Sequence, residues 1–152
     1  LDTEIEFRTL ETNVNGFTRM VLSAYHYFQK QGNGHIAVIS SIAGTKGLGS
    51  APSYSASKGY QNLYIEALEQ LTRMQKTAIT FTDIRPGFVS TELLNENKRY
   101  PLMLSPEKVA RHIMKAVLCR KSYVTIDWKY RLLVFFWRCI PRRLWVRLPI
   151  RN

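Results

Sequence analysis

Three short runs rich in β-branched residues most constrain what this chain can fold into. Residues 35–40 (HIAVIS), 77–84 (TAITFTDI) and 122–126 (SYVTI) have the length of strands, and the first is apolar nearly throughout, as a buried strand is. Apolar residues at helical spacing predict helices over residues 2 or 3 to about 30, 53 to about 74 and 106 to about 118. Strands that alternate with helices predict an α/β fold with a parallel sheet.

The basic charge of the chain is concentrated near its end. Residues 120–152 hold 9 of the 22 Lys and Arg residues beside one acid, Asp127, whereas the other residues hold 13 basic and 10 acidic groups. Cys119 and Cys139 are the only cysteines, with no CxxC pattern and no paired Cys/His spacing. This cysteine usage gives no support for a metal site or a disulfide framework, and it predicts a reducing, cytoplasmic location.

Tyr54 and Lys58 form a Tyr-x-x-x-Lys pair at the start of the second predicted helix. Residues four apart lie on one helix face, so the ammonium is held about one turn from the phenol. A free phenol has a pKa near 10, and a nearby cation favours its deprotonated form. Ser41 follows the first predicted strand, at the edge where open α/β sheets bind ligands. A carbonyl held between Ser41 and Tyr54 would be polarised, which predicts an acid/base site for carbonyl reduction; the alternative is two unrelated surface residues.

Four motifs, in order, resemble those of the short-chain dehydrogenase/reductase family. They are NVNG (residues 13–16), ISSIAG (39–44), YSASK (54–58) and RPGFVST (85–91). The resemblance implies that Tyr54 is the general acid/base and that Lys58 tunes it and holds the nicotinamide ribose. It also implies that Ser41 orients the substrate carbonyl or alcohol and that Asn13 positions a relay water. The residues it places against the nicotinamide end of the cofactor are Pro86, Gly87, Val89 and Thr91.

The same resemblance implies an NAD- or NADP-dependent oxidoreductase that interconverts a carbonyl and an alcohol by hydride transfer. Its substrate is then a small molecule, and its quaternary structure a homo-oligomer paired through the helices near residues 4–30 and 53–74. The loop over residues 88–104 contains RYPLML (99–104), which suggests an apolar lid over the substrate. The sequence predicts no nucleic-acid partner, because no aromatic residues alternate with basic ones on a strand face.

The resemblance extends only to about residue 118 and covers the second half of the family pattern. The family's first strand and Gly-rich phosphate turn have no counterpart, and GTKGLG (44–49) fails the dinucleotide fingerprint on spacing. We therefore expect a Rossmann-like doubly wound parallel sheet with its N-terminal part missing, from a protein about 95 residues longer. By itself the chain is expected to be inactive and poorly stable, and the alternative function is an inactive fragment or an interaction module without a cofactor phosphate site.

Residues 127–152 are predicted to be a basic, Trp-rich amphipathic helical extension of a domain over residues 1–126. This extension holds all three tryptophans, and Arg143, Arg147 and Arg151 fall four residues apart, as one polar stripe of a helix would. Tryptophan beside arginine suits the headgroup region of an anionic membrane, so residues 128–152 predict peripheral contact at the inner face of the membrane. The alternative is that these apolar residues pack on the domain or on a second subunit.

Overall fold

The computed structural model describes residues 1–91, 100 and 102–150 of the chain. Within these residues, three strands alternate with helices in the order that the sequence predicts. The elements are α1 (Thr3–Leu10), a π-helical turn (Glu11–Gly16), α2 (Phe17–Gln31), β1 (Asn33–Ile39), a 3₁₀ turn (Ile42–Thr45), α3 (Pro52–Met74), β2 (Ala78–Arg85), α4 (Pro106–Leu118), β3 (Tyr123–Thr125), α5 (Trp128–Cys139) and α6 (Arg142–Trp145).

The described strands form one parallel sheet in the order β1-β2-β3. Asn33 lies opposite Ala78 at the start of the first pair, and Arg85 lies opposite Thr125 at the end of the second. The predicted α/β fold with a parallel sheet is confirmed. Since all strands run the same way, the loops after their carboxyl ends meet at one edge of the sheet.

Two apolar clusters cover the two faces of the sheet. Alternate residues of a strand point to opposite faces, so within β2 Ile79 and Phe81 belong to one cluster and Ile84 to the other. The first cluster joins α2 and α3 to the sheet and contains Val21, Tyr25, Ile36, Val38, Ile65, Leu68, Ile79 and Phe81. The second joins α4 and α5 to it and contains Ile42, Ile84, Leu104, Val109, Ile126, Tyr130 and Val134. Helices therefore pack against both faces, as a parallel sheet requires.

The long first helix that the sequence predicts is confirmed, because the backbone is helical from Thr3 to Gln31, with a π-helical turn, Glu11–Gly16, between α1 and α2. Its predicted end is confirmed at Gly32, which has a positive φ of 80°. The predicted start of α4 is also confirmed, because the Ser105 hydroxyl accepts a hydrogen bond from the Lys108 amide at 3.3 Å. Local capping residues thus mark helix ends well, whereas the π-helical turn lies where Asn13 contacts α3.

The C-terminal segment does not form the single amphipathic helix that the arginine spacing predicts. Pro141 separates α5 from α6, and α6 ends at Trp145, so Arg147 lies beyond the helix that contains Arg143. Arg151 lies outside the described residues. Two of its tryptophans contact the 3₁₀ turn and the loop that follows it. The Trp137 indole donates to the Thr45 hydroxyl at 2.9 Å, and the Trp145 indole to the Gly47 carbonyl at 2.7 Å. No helix among the described residues is long and apolar enough to cross a bilayer.

Asp127 joins α4 to α5 through its buried carboxylate. The carboxylate accepts hydrogen bonds from the Lys108 ammonium and, at 2.9 Å, from the Lys129 amide at the start of α5. The Lys108 hydrogen bond, followed by that of the Lys129 amide, holds the pKa of Asp127 below its ordinary value. A lowered pKa in the folded state means that the charged carboxylate stabilises the fold.

Asp127→Asn is expected to lower the free energy of unfolding by about 1–3 kcal/mol at pH 7, because a charge-assisted hydrogen bond is lost. The contribution of Asp127 is complete above the unfolded-state pKa and disappears as the pH falls through the lower folded-state pKa. Denaturant unfolding of both proteins across this range measures the effect, and the two stabilities should converge in acid. Glu66→Gln, at an exposed position of α3, serves as the control. A difference that persists unchanged into acid would contradict the assignment.

Candidate active site

The carboxyl end of β1 places two buried serines beside the neighbouring strand. The Ser40 hydroxyl donates to the carboxylate of Asp83 on β2. The Ser41 hydroxyl accepts from the Ala43 amide at 3.1 Å and so caps the 3₁₀ turn Ile42–Thr45. Because a hydroxyl both accepts and donates, the proton of Ser41 can still be given to a ligand oxygen.

Tyr54 and Lys58 lie in the first turns of α3, which begins at Pro52. The Lys58 ammonium is 5.8 Å from the centre of the Tyr54 ring, and Tyr54 is 39% exposed. The ammonium donates to the Ile39 carbonyl at 3.4 Å and to the Gln61 amide oxygen at 3.0 Å. Ile39 is the last residue of β1, and Ser41 lies two positions after it. The hydrogen bond to the Ile39 carbonyl therefore holds Lys58 at the same edge of the sheet as Ser41.

Burial sets the electrostatics of Lys58. Desolvation lowers the pKa of the Lys58 ammonium from its ordinary value, and the carboxylate of Asp83 opposes this shift. A cation that is partly stripped of water interacts more strongly with a nearby phenol than a solvated one does.

Asn13 contacts α3 from the π-helical turn. Its side-chain amide donates to the Ser57 hydroxyl at 3.1 Å, and its main-chain carbonyl accepts from the Gln61 side chain at 2.9 Å. Asn13 is thus linked to Lys58 through Gln61. The motif comparison did not include Gln61, although its position three residues after Lys58 on one helix face could have pointed to it.

Gly44 allows the loop after Ser41 to lie directly on α3. A Cβ atom at Gly44 would lie 2.5 Å from the backbone carbon and oxygen of Lys58 and 2.6 Å from the side-chain nitrogen of Asn62. No larger residue fits such a contact without displacing the helix. The glycine-rich stretch over residues 44–49 therefore includes a helix-packing position, which agrees with its rejection as a phosphate-binding fingerprint.

Residues 86–91 continue from β2 beside the same loop. The Pro86 carbonyl accepts from the Ile42 amide at 3.1 Å. A Cβ at Gly87 would lie 2.1 Å from the ring of Tyr130 on α5, and the Tyr130 hydroxyl accepts from the Phe88 amide at 3.0 Å. Tyr130 thus fixes the path of this turn, a role for which the sequence carries no signal.

The remaining predicted cofactor contacts lie further along this segment. Val89 forms an isolated parallel bridge with Leu104, and Thr91 is exposed. The structure therefore places the Pro86 turn beside the residue that follows Ser41, while Thr91 lies at the end of the described segment. Most of the predicted lid, residues 92–99 and 101, lies outside the described residues.

The comparisons with known proteins agree with this geometry. Residues 2–101 match the sequence profile of a family described as short chain dehydrogenase. The chain belongs to the short-chain dehydrogenase family. The matched range contains Ser41, Tyr54, Lys58 and the turn at Pro86, so the candidate site lies within the part of the chain that defines the family.

Two curated relatives show how much of a short-chain dehydrogenase this chain spans. An uncharacterized oxidoreductase of Myxococcus xanthus is 26% identical over 89% of this chain and 53% of its own length. A sepiapterin reductase of Chlorobaculum tepidum is 30% identical over 72% of this chain and 45% of its own length. The chain therefore spans about half the length of the curated relatives it matches.

A solved structure shows the same fold. A short chain dehydrogenase from Burkholderia cenocepacia, in complex with NADP, aligns with 99% of this chain and 61% of its own, with a TM-score of 0.81 and 21% identity. This similarity supports the Rossmann-like arrangement of a parallel sheet with helices on both faces.

Gly44→Ala is expected to lower the free energy of unfolding by about 1–3 kcal/mol, because the added Cβ overpacks the contact with Lys58. Gly47→Ala is the matched control, since nothing lies within 4 Å of a Cβ at Gly47. Denaturant unfolding of both variants measures the difference. Equal stability of the two variants would show that the loop can move away from α3 at no cost.

Proposed function

We propose that the protein carrying this chain is an NAD- or NADP-dependent oxidoreductase that interconverts a carbonyl and an alcohol. The observation that carries the proposal is the position of the Lys58 ammonium, 5.8 Å from the centre of the Tyr54 ring and hydrogen-bonded to the Ile39 carbonyl two residues before Ser41, in a chain of the short-chain dehydrogenase family. The NADP complex of the Burkholderia cenocepacia relative supports the choice of cofactor.

Each of the three side chains has a role that follows from its chemistry. The Ser41 hydroxyl donates a hydrogen bond to the substrate oxygen and orients it. The Tyr54 hydroxyl gives its proton to the same oxygen in reduction and takes it back in oxidation. Lys58 stabilises the phenolate that Tyr54 leaves behind.

The nicotinamide supplies the hydride that adds to the carbonyl carbon. This hydride and the proton from Tyr54 together convert the carbonyl to the alcohol. The residues present fit this cofactor, because Lys58 is hydrogen-bonded to two acceptors, Ile39 and Gln61, and has a third proton for a ribose hydroxyl. We assign Pro86, Gly87, Val89 and Thr91 to the nicotinamide end, and Asn13 to support of Lys58.

An inactive interaction module without a cofactor phosphate site is the competing proposal. A homo-oligomer through α1, α2 and α3 also remains a proposal. It is supported by the exposed apolar residues Met20 and Leu63, which are 75% and 69% exposed.

We further propose that α5 binds the surface of an anionic membrane. Its buried face holds Tyr130 and Val134, whereas Trp128, Leu132, Phe135 and Phe136 lie on the opposite side and are 48–63% exposed. The exposed basic residues Lys129, Arg131 and Arg138 flank this outer face. Aromatic residues between cations match the apolar boundary and the negative charge of anionic headgroups.

Tyr54→Phe is expected to reduce kcat/KM at least about 100-fold, because the ring remains but the proton donor is lost. The measurement is oxidation of NADH and NADPH, with a panel of aldehydes and ketones, by the full-length protein that carries this chain. Tyr27→Phe, at a tyrosine that is 59% exposed, serves as the control and should leave the rate unchanged. Full activity of Tyr54→Phe would contradict the assignment, and no turnover by the unsubstituted protein would favour the inactive module.

Phe135→Glu is expected to weaken binding to phosphatidylserine-containing vesicles at least about 10-fold, since it removes a large apolar contact and adds repulsion. Vesicle sedimentation measures this binding, which should fade with salt and be weak on phosphatidylcholine alone. Leu118→Glu on α4, where the leucine is 77% exposed, is the charge-matched control. Equal binding by Phe135→Glu and the unsubstituted protein would disprove the membrane proposal.

A further inference from the structure

Gln61 is buried, and its side-chain amide makes a hydrogen bond through both its nitrogen and its oxygen. It is only 3% exposed. Its nitrogen donates to the Asn13 carbonyl at 2.9 Å, and its oxygen accepts from the Lys58 ammonium at 3.0 Å. One side chain therefore bridges the π-helical turn and the lysine of the candidate site.

The π-helical turn makes the Asn13 carbonyl available for this bridge. In a regular α-helix that carbonyl would accept from the amide four residues later, at Phe17. Here the Phe17 amide instead donates to the carbonyls of Thr12 and Val14. The Asn13 carbonyl, which the Phe17 amide does not use, accepts from the Gln61 side chain instead.

The Gln61 side chain is the nearer of the two described acceptors of the Lys58 ammonium. The other acceptor, the Ile39 carbonyl, is at the longer distance of 3.4 Å. A buried ammonium without acceptors would lose its charge or turn to solvent. The amide oxygen of Gln61 is a neutral acceptor, so it holds the cation without cancelling the charge that faces Tyr54.

We propose that Gln61 is a positioning residue that holds the Lys58 ammonium toward Tyr54 by anchoring it to the Asn13 carbonyl. The family resemblance predicts a relay water at Asn13. In the structure the side-chain amide of Gln61 donates a hydrogen bond to the Asn13 carbonyl. The proposal deepens the proposed oxidoreductase function and rests on it for its effect on catalysis. The geometry of the bridge does not depend on catalysis, which allows the two to be tested separately.

The first measurement is the titration of Lys58 by NMR, followed through its ¹³Cε chemical shift in the protein without cofactor. Gln61→Met keeps the length of the side chain but removes both hydrogen bonds. The pKa of Lys58 is expected to fall in this variant, because burial is no longer opposed by that acceptor. Gln70→Leu, a similar change at an exposed glutamine of α3, should leave the titration unchanged.

The second measurement is the pH dependence of kcat/KM for alcohol oxidation. In Gln61→Met the profile should move toward higher pH and kcat/KM at neutral pH should fall about 10-fold, because the phenolate loses a fixed cation. Gln61→Glu retains an acceptor for Lys58 but adds a negative charge, so it should shift the profile in the same direction. If Gln61→Met does not fold, both measurements are made on Gln61→Glu instead.

The outcomes separate the two proposals. Unchanged Lys58 titration in the folded Gln61 variants would overturn the positioning role, whatever their activity. A shifted titration with an unchanged pH profile would overturn the link between Gln61 and Tyr54. A shifted titration in a protein that turns over no carbonyl or alcohol with either cofactor would support the bridge and remove the proposed function.

Discussion

The contact between Gly44 and the backbone of α3 at Lys58 is the constraint on which the candidate site depends. The loop that follows β1 packs against α3, and Gly44 lies so close to the backbone of Lys58 that no side chain fits between them. This contact, together with the hydrogen bond from the Lys58 ammonium to the Ile39 carbonyl, holds the start of α3 beside the end of β1. The geometry of the site is thus a consequence of backbone packing between a loop and a helix.

The same helix is held from its other side by hydrogen bonds rather than by apolar packing. Asn13 bonds to Ser57 through its side chain and to Gln61 through its main chain. Both α3 residues are buried, where an unpaired polar group is costly, so each bond restrains the helix more strongly than it would in water. Apolar burial brings the helices together, and these polar contacts define their alignment around Lys58.

Much of the fold was predictable because its signals are local. The second helix was expected over residues 53–74 and extends over Pro52–Met74, and the strand expected over 77–84 extends over Ala78–Arg85. Apolar periodicity and capping residues act within a few positions of the element they define. The Tyr54 and Lys58 pair is equally local, since one helical turn brings the two side chains to one face.

The sequence by itself determined the order of strands and helices, the parallel sheet and the Tyr54–Lys58 pair, because these follow from the period of a helix or a strand. Only the tertiary structure decided which group holds Lys58 and which aromatic residues of the C-terminal segment are covered. Gln61 meets a carbonyl 48 residues away, and Trp137 meets a hydroxyl 92 residues away. Such contacts depend on how distant segments pack together, and no local pattern encodes that.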